Sequence, residues 1–376
     1  MTTSNTDATA YIQSLLDKGG EVIIPEGTYR ITSTLKIQSN THVKADKNAR
    51  LYLCGDTPKY RGDFLLDNSD HENGNENITI EGGIWDGNNQ GKYNTKDPDL
   101  FNPNAWSGST MNFFRVKNLK LRDMVFANSV IYNLRLCRID TFDFRNIYFQ
   151  SDELAFNQDG LHFAGFINNG YVENVRALSK GQTNDDMLAL NADDSIVRLE
   201  NLDLDCGPIE NIYFKDIYAE DCHTGVRLLS VVSPIRNITI DNMEVGVRCY
   251  AINMDGARYC RTPLFREEDK PEGIGCIENI KFNNFKAHFT STERPENPLI
   301  CCEGQTDRFE INEFERSEAA EVMPNNPVLF VRNVRELSVV VNDGDRVELR
   351  EKSDSFISNG KISSITVESK GGEAIA

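Results

Sequence analysis

Asn157-Gln158-Asp159-Gly160-Leu161-His162-Phe163 and Asn184-Asp185-Asp186-Met187-Leu188-Ala189-Leu190 follow one pattern, an acidic polar turn feeding a short run whose apolar residues alternate. A third stretch, His223-Thr224-Gly225-Val226-Arg227-Leu228, keeps the alternation. Successive side chains of a strand point to opposite faces. Read as consecutive coils of one repeat, the three stretches send Leu161, Leu188 and Val226 inward together, and likewise Phe163, Leu190 and Leu228. His162, Ala189 and Arg227 then share an outer face with Asp159, Asp185 and Asp186.

Working outward, a phrase of Asn followed by alternating aliphatics recurs as Asn77-Ile78-Thr79-Ile80, Asn118-Leu119-Lys120-Leu121, Asn211-Ile212-Tyr213-Phe214, Asn237-Ile238-Thr239-Ile240 and Asn279-Ile280-Lys281-Phe282. The steps are 41, 93, 26 and 42 residues, and weaker copies at Thr141–Phe144 and Gly170–Val175 fill the large gap. A coil of about 20 to 26 residues, lengthened in places by a loop, accounts for them, and repeats on this scale mark solenoids. Each copy alternates at period two and is rich in Ile, Val, Phe and Tyr, which excludes a helical solenoid. The prediction is an all-β chain, a right-handed single-stranded parallel β-helix in which stacked coils share one core. Asn at equivalent corners suits left-handed turn geometry and a side-chain ladder. A β-sandwich is the competing fold, but no Asn-Gly hairpin recurs.

The helical stretch is short: residues 7–19, with Asp7 as cap and Ala10, Ile12, Leu15 and Leu16 as an apolar stripe, predict a helix that plugs the N-terminal end. The chain reads as a single domain, with residues 1–30 as cap, 31–326 as coils with long loops, and 327–376 as closing coils. Insertions are expected at 54–76, 87–110 and 256–275. In the second of these, Tyr93, Phe101 and Trp106 suit either stacking on sugars or packing of the loop on the barrel.

A net charge of −18 argues against nucleic acid and anionic membrane as partners, because both require a positive footprint. No apolar run is long enough to cross a bilayer. Nine cysteines, without a CxxC pair or zinc-like spacing, read as reduced core residues. With no basic start and apolar signal core at the N-terminus, the expectation is a cytoplasmic protein, the alternative being a secreted one shown here without its signal peptide.

Three carboxylates gathered across two coils about 5 Å apart push each other's pKa values apart. One then stays protonated while the others ionise, which is what glycoside hydrolysis requires. A single Asp in such a turn more often bonds its own backbone; three at one register, with Arg227 a coil further on, favour a site.

These residues carry a resemblance. Asn157-Gln158-Asp159-Gly160 resembles the Asn-Thr-Asp-Gly motif of the polygalacturonases of glycoside hydrolase family 28, Asn184-Asp185-Asp186 resembles its paired aspartates, and Gly225-Val226-Arg227-Leu228-Leu229 resembles its Gly-x-Arg-Ile-Lys. GGEVIIPEGTYRI at 19–31, EGGIWDGNNQG at 81–91 and NSVIYNLRL at 128–136 extend the likeness. The resemblance implies an inverting hydrolase with no metal or cofactor, Asp185 as general acid, and Asp159 and Asp186 acting on the attacking water. Arg227, His162, Arg135, His223 and Trp106 form the candidate substrate-binding set, and an oligosaccharide of plant type, such as a pectic one, is the expected partner. Two features depart from the pattern: residues 191–211 contain no histidine where a Gly-His-Gly is expected, and Leu229 stands in place of the carboxylate-binding Lys. His162 and His223 are the candidates to supply the histidine. The rival functions are β-elimination or epimerisation of uronides on the same scaffold, and glycan binding without catalysis.

Overall fold

The computed structural model describes residues 6–54, 64–89, 110–197, 204–255, 264–270, 273–317, 319–331, 334–341, 347–349 and 364–369. Every strand in it pairs in parallel with strands one coil away, so the architecture is a parallel β-helix, as the alternation predicts. The aligned triplets fall in register: Leu161, Leu188 and Val226 form one row, His162, Ala189 and Arg227 the next, and Phe163, Leu190 and Leu228 the third. Inward rows stack like on like. Leu121, Phe144, Val172, Phe214, Ile240 and Phe282 lie on successive coils, all buried. No coil could shield such a row alone, and stacking removes it from water at roughly 1.5–3 kcal/mol per large side chain.

Coil length varies more widely than the sequence suggests. One turn takes 18 residues between Leu329 and Val347 and 48 between Ile252 and Ile300. The reason is that only the strand rows are bound by register, while the connections run outside the core. The predicted 54–76 insertion also contains a core strand, Leu66–Asn68, paired with Leu35–Ile37.

The corners are built by asparagine. Asn77, Asn118, Asn211, Asn237 and Asn279 all take positive φ, between 53° and 59°. Their amides form ladders: Asn118 donates to Asn77 at 2.8 Å, Asn237 to Asn211 at 2.9 Å and Asn279 to Asn237 at 2.8 Å. Asn tolerates the left-handed region, where most residues lose roughly 1–2 kcal/mol. Asn237→Leu, at an exposed position, is therefore expected to destabilise by about 1–3 kcal/mol through backbone strain and two lost amide bonds. An unchanged urea midpoint would show that the ladder contributes nothing.

The N-terminal helix, Thr9–Leu16, buries Ile12 and Leu16 against the first coil. Asp7 accepts the Thr9 amide at 2.9 Å. Ala10, expected on the apolar stripe, is exposed, and Ala8 packs inward in its place. Among the described residues eight cysteines are free thiols, with Cys222 and Cys302 fully buried in the shared core. No helix among the described residues is long and apolar enough to cross a membrane.

Candidate active site

Asp159 and Asp186 occupy the same row of adjacent coils, because the strands Leu161–Phe163 and Asp186–Asn191 are paired in register. The approach is close: the Asp186 amide donates to Asp159 Oδ1 at 3.3 Å, and the Gly160 amide to the Asp186 carbonyl at 2.9 Å. Glycine at 160 permits this. A Cβ there would lie 2.5 Å from the Met187 carbonyl oxygen and 2.8 Å from the Phe149 ring. Asn133 fixes the Asp159 backbone, donating through its amide side chain to the carbonyl at 2.8 Å. Gly160→Ala is expected to displace Asp159 and reduce any catalysis that needs it by an order of magnitude or more, since small misplacements cost heavily. Wild-type turnover in that variant would remove Asp159 from the mechanism.

The three carboxylates meet, but in unequal settings. Asp159 and Asp186 are enclosed, whereas Asp185 opens outward with 27% of its side chain exposed. Burial, then the neighbouring Asp185, raises the Asp159 carboxyl to about 6 against the opposing pull of His162 and Arg227. Burial, with Asp185 and Asp159 beside it, holds Asp186 well above the ordinary carboxylate range. The resemblance puts the proton on Asp185; the enclosure favours its residence on the buried members, because those are the groups deprived of water.

His162 is buried. Its Nδ1 lies 2.5 Å from Asp159 Oδ2 and its Nε2 lies 2.6 Å from Asp194 Oδ2, so both ring nitrogens are occupied. The ring stacks on Tyr132 at 3.9 Å. Burial works against its charge, but Asp194 and Asp159 outweigh that and raise it to about 9, so it is an imidazolium at neutral pH. Both ring nitrogens of His162 are thus committed to carboxylates inside the cluster. Asp194, absent from the sequence-derived set, comes from the four-residue helix Asp194–Val197. Four residues are too few for periodicity to reveal. The segment is held by the preceding Asp193, whose Oδ2 accepts the amides of Val231, Val232 and Ser233 at 2.6–2.8 Å.

His223 lies within the strand Ile209–Leu229 and not in a turn. Its neighbour Thr224 pairs with Asp186, and His223 Nδ1 sits 3.4 Å from Asp185 Oδ1. A histidine thus stands beside Asp185 from the neighbouring coil. Its pKa rises to about 10: burial opposes the charge, and Asp185 and the Cys249 sulfur overcome it. Arg227 is buried, with Nε 3.2 Å from Asp255 and Nη1 3.8 Å from Asp186. Asp255 is a second partner that the motifs did not reveal. Arg135 is buried as well, donating to Asn112 at 2.8 Å and lying 5.0 Å over the Phe64 ring. It belongs to a polar chain that continues through Asp67 to Lys36. Leu229 is fully buried in a separate apolar cluster with Val197, Val231 and Ile274. Trp106, Tyr93 and Phe101 lie outside the described residues.

Asp185, Asp186 and His223 also offer ligand atoms all within 4.8 Å of one another, a spacing compatible with one divalent ion. The Arg227 guanidinium beside Asp186 already supplies positive charge there.

The fold and this cluster define a parallel β-helix bearing a buried, acid-rich site on one outer face. Among solved structures, the chain is similar to a family 28 exopolygalacturonase from Yersinia enterocolitica (16% identity, TM-score 0.57, covering 100% of this chain and 77% of that one). It is also similar to the A-module of a mannuronan C-5 epimerase from Azotobacter vinelandii (13%, 0.55, 98% and 96%) and to a surface adhesin of Streptococcus pneumoniae (14%, 0.53, 99% and 92%). Identities this low establish the β-helix fold alone, which hosts a hydrolase, an epimerase and an adhesin in these three. No protein-family model matches the sequence, and no curated protein does.

Proposed function

We propose that this protein is a glycoside hydrolase that cleaves O-glycosyl bonds in plant-type oligosaccharides, of the pectic kind, with inversion at the anomeric carbon. The observation that carries the reading is the meeting of Asp159, Asp185 and Asp186, two of them with carboxyls raised by burial, beside the buried Arg227. Such a trio titrates as one unit. A proton held among the three passes to the glycosidic oxygen through Asp185, the outward-opening member. The bond from that oxygen to the anomeric carbon breaks, water's oxygen bonds to the carbon from the opposite face, and water's proton goes to an ionised carboxylate of the cluster. The His162 imidazolium fixes the carboxylate of Asp159, and Arg227 limits the charge that accumulates at Asp186.

The test is oligosaccharide cleavage followed by reducing-sugar release, with proton NMR of the first-formed anomer. Release of the inverted anomer is expected. A retained anomer, or an unsaturated product absorbing in the ultraviolet, would overturn it.

The spacing of Asp185, Asp186 and His223 favours a second reading, elimination or epimerisation of a uronide around a divalent ion held by those residues. That reading requires chelator to abolish activity, whereas the hydrolase retains it.

A further inference from the structure

We propose that Arg248 is a positioning residue for the reaction, tying the turn that carries Asp185 to the turn that carries Asp159; the reaction itself rests on the hydrolase reading. Arg248 lies two coils beyond Asp186. Its strand, Ile235–Asp255, pairs Tyr250 with Thr224, and Thr224 pairs with Asp186. From there the guanidinium reaches back across the intervening coil. Its Nη2 donates to the Gly181 carbonyl at 3.2 Å and to Asn184 Oδ1 at 2.8 Å.

The ladder is built to send the side chain that way. Between the pairs Ala219 with Val245 and Cys222 with Val247, the strand Ile209–Leu229 carries one residue more than its partner. Between Cys222 with Val247 and Thr224 with Tyr250, the partner carries one more, so two opposed bulges cancel before Arg227. Bulges re-aim side chains, and Asp221 lies in the first while Arg248 lies in the second. Gly246 admits the displaced backbone, since a Cβ there would lie 2.1 Å from the Glu220 carbonyl oxygen. Asp221 Oδ1 then stands 3.8 Å from Arg248 Nε and accepts the Thr290 hydroxyl at 2.6 Å. Only 18% of the Arg248 side chain and 11% of the Asp221 side chain are exposed, so solvent screens this pair weakly.

A guanidinium can only donate, so Asn184 must turn its oxygen toward Arg248. That orientation points the Asn184 amide nitrogen the other way, where it donates to the Ala155 carbonyl at 2.8 Å. The Ala155 amide in turn donates to Gln158 Oε1 at 2.8 Å, and Gln158 directly precedes Asp159. A chain of contacts thus runs from Arg248 through Asn184, the residue before Asp185, to the Asp159 turn. Gln182 makes a second tie, donating to Gln158 Oε1 at 3.0 Å, so loss of Arg248 loosens the two turns without parting them. Inversion needs acid and base held at one separation with water between them, and Arg248 fixes one side of that gap.

The test compares the full chain with Arg248→Ala, Asn184→Ala and the double variant, in oligosaccharide hydrolysis and in amide hydrogen exchange. Arg248→Ala is expected to lower kcat about tenfold or more, the scale of a misplaced reacting group, with KM within about twofold. The double variant should be no slower than Arg248→Ala, because both changes cut one chain. Exchange should quicken at residues 181–186 and 155–159 and keep its wild-type rate at residues 20–53, in the first coils. Where Arg248→Ala fails to fold, Asn184→Ala, which leaves the Arg248 and Asp221 pair intact, decides by the same readouts. An unchanged kcat, losses that add in the double variant, or a rise in KM alone would overturn the assignment. Exchange is read without substrate. A wild type that hydrolyses nothing while exchange responds as expected sinks the hydrolase reading and leaves the tie between the turns; wild-type turnover with kcat and exchange unmoved in the variants sinks the tie alone.

Discussion

Asp185→Asn is expected to lower hydrolysis by about 10²–10⁴-fold, the range that a positioned general acid contributes, while leaving the folded state nearly as stable as wild type. Asp185 is the member of the trio that opens to solvent, and His223, which loses its carboxylate when Asp185 becomes an isosteric amide, is itself 35% exposed and can release its proton to water. The same change at Asp159 or Asp186 would mix chemistry with stability, because both are enclosed. A second readout follows from the electrostatics. Asp185 contributes to the raised carboxyls of both Asp159 and Asp186, so its neutralisation moves their titration toward lower pH. Residual activity in the variant should therefore show an acid limb displaced to lower pH. Undiminished turnover with an unmoved profile would remove Asp185 from the reaction.

Asp194→Asn is expected to be the most damaging isosteric change away from the reacting atoms. Asp194 and Asp159 flank a buried imidazolium, and breaking a buried ion pair by neutralising one partner costs about 3–5 kcal/mol. The sign of its pH dependence follows from His162. The folded-state value, about 9, lies above the ordinary 6.5, so the contribution is fully present below pH 6.5 and is lost as pH rises through 9. The shift corresponds to roughly 3 kcal/mol. With Asn at 194 the imidazolium loses one of its two carboxylates, and the loss of stability on raising the pH begins earlier. Urea midpoints below pH 6.5 and above pH 9, together with the His162 ring titration followed by NMR, measure both effects. A ring midpoint unmoved by the substitution would show that Asp194 does not hold the proton on His162.

The residues that were legible in the sequence share one property: their place is set by strand register. Leu161, Leu188 and Val226 align because alternation at period two leaves each coil one way to bury its apolar face, and a slip by one residue would turn every side chain over. The same register carries Asp159 and Asp186 into one row, and asparagine announces the corners because few other residues accept their backbone. His162 was legible as a neighbour of the acids but not as their support. Its second partner comes from outside the strand rows, and no local pattern marks such a partner.

Periodicity and turn chemistry, both local, were enough to determine the stacked parallel coils, the rows within them and the company the three acids keep. Tertiary packing alone decided which carboxylates are shut away from water and that His162 is spent between Asp159 and Asp194. It also decided that Leu229 is sealed in an apolar cluster. The physical reason is that desolvation and ion pairing depend on what the connecting segments lay over the coils. Those segments obey no register, so the chain does not write their contacts into any repeat.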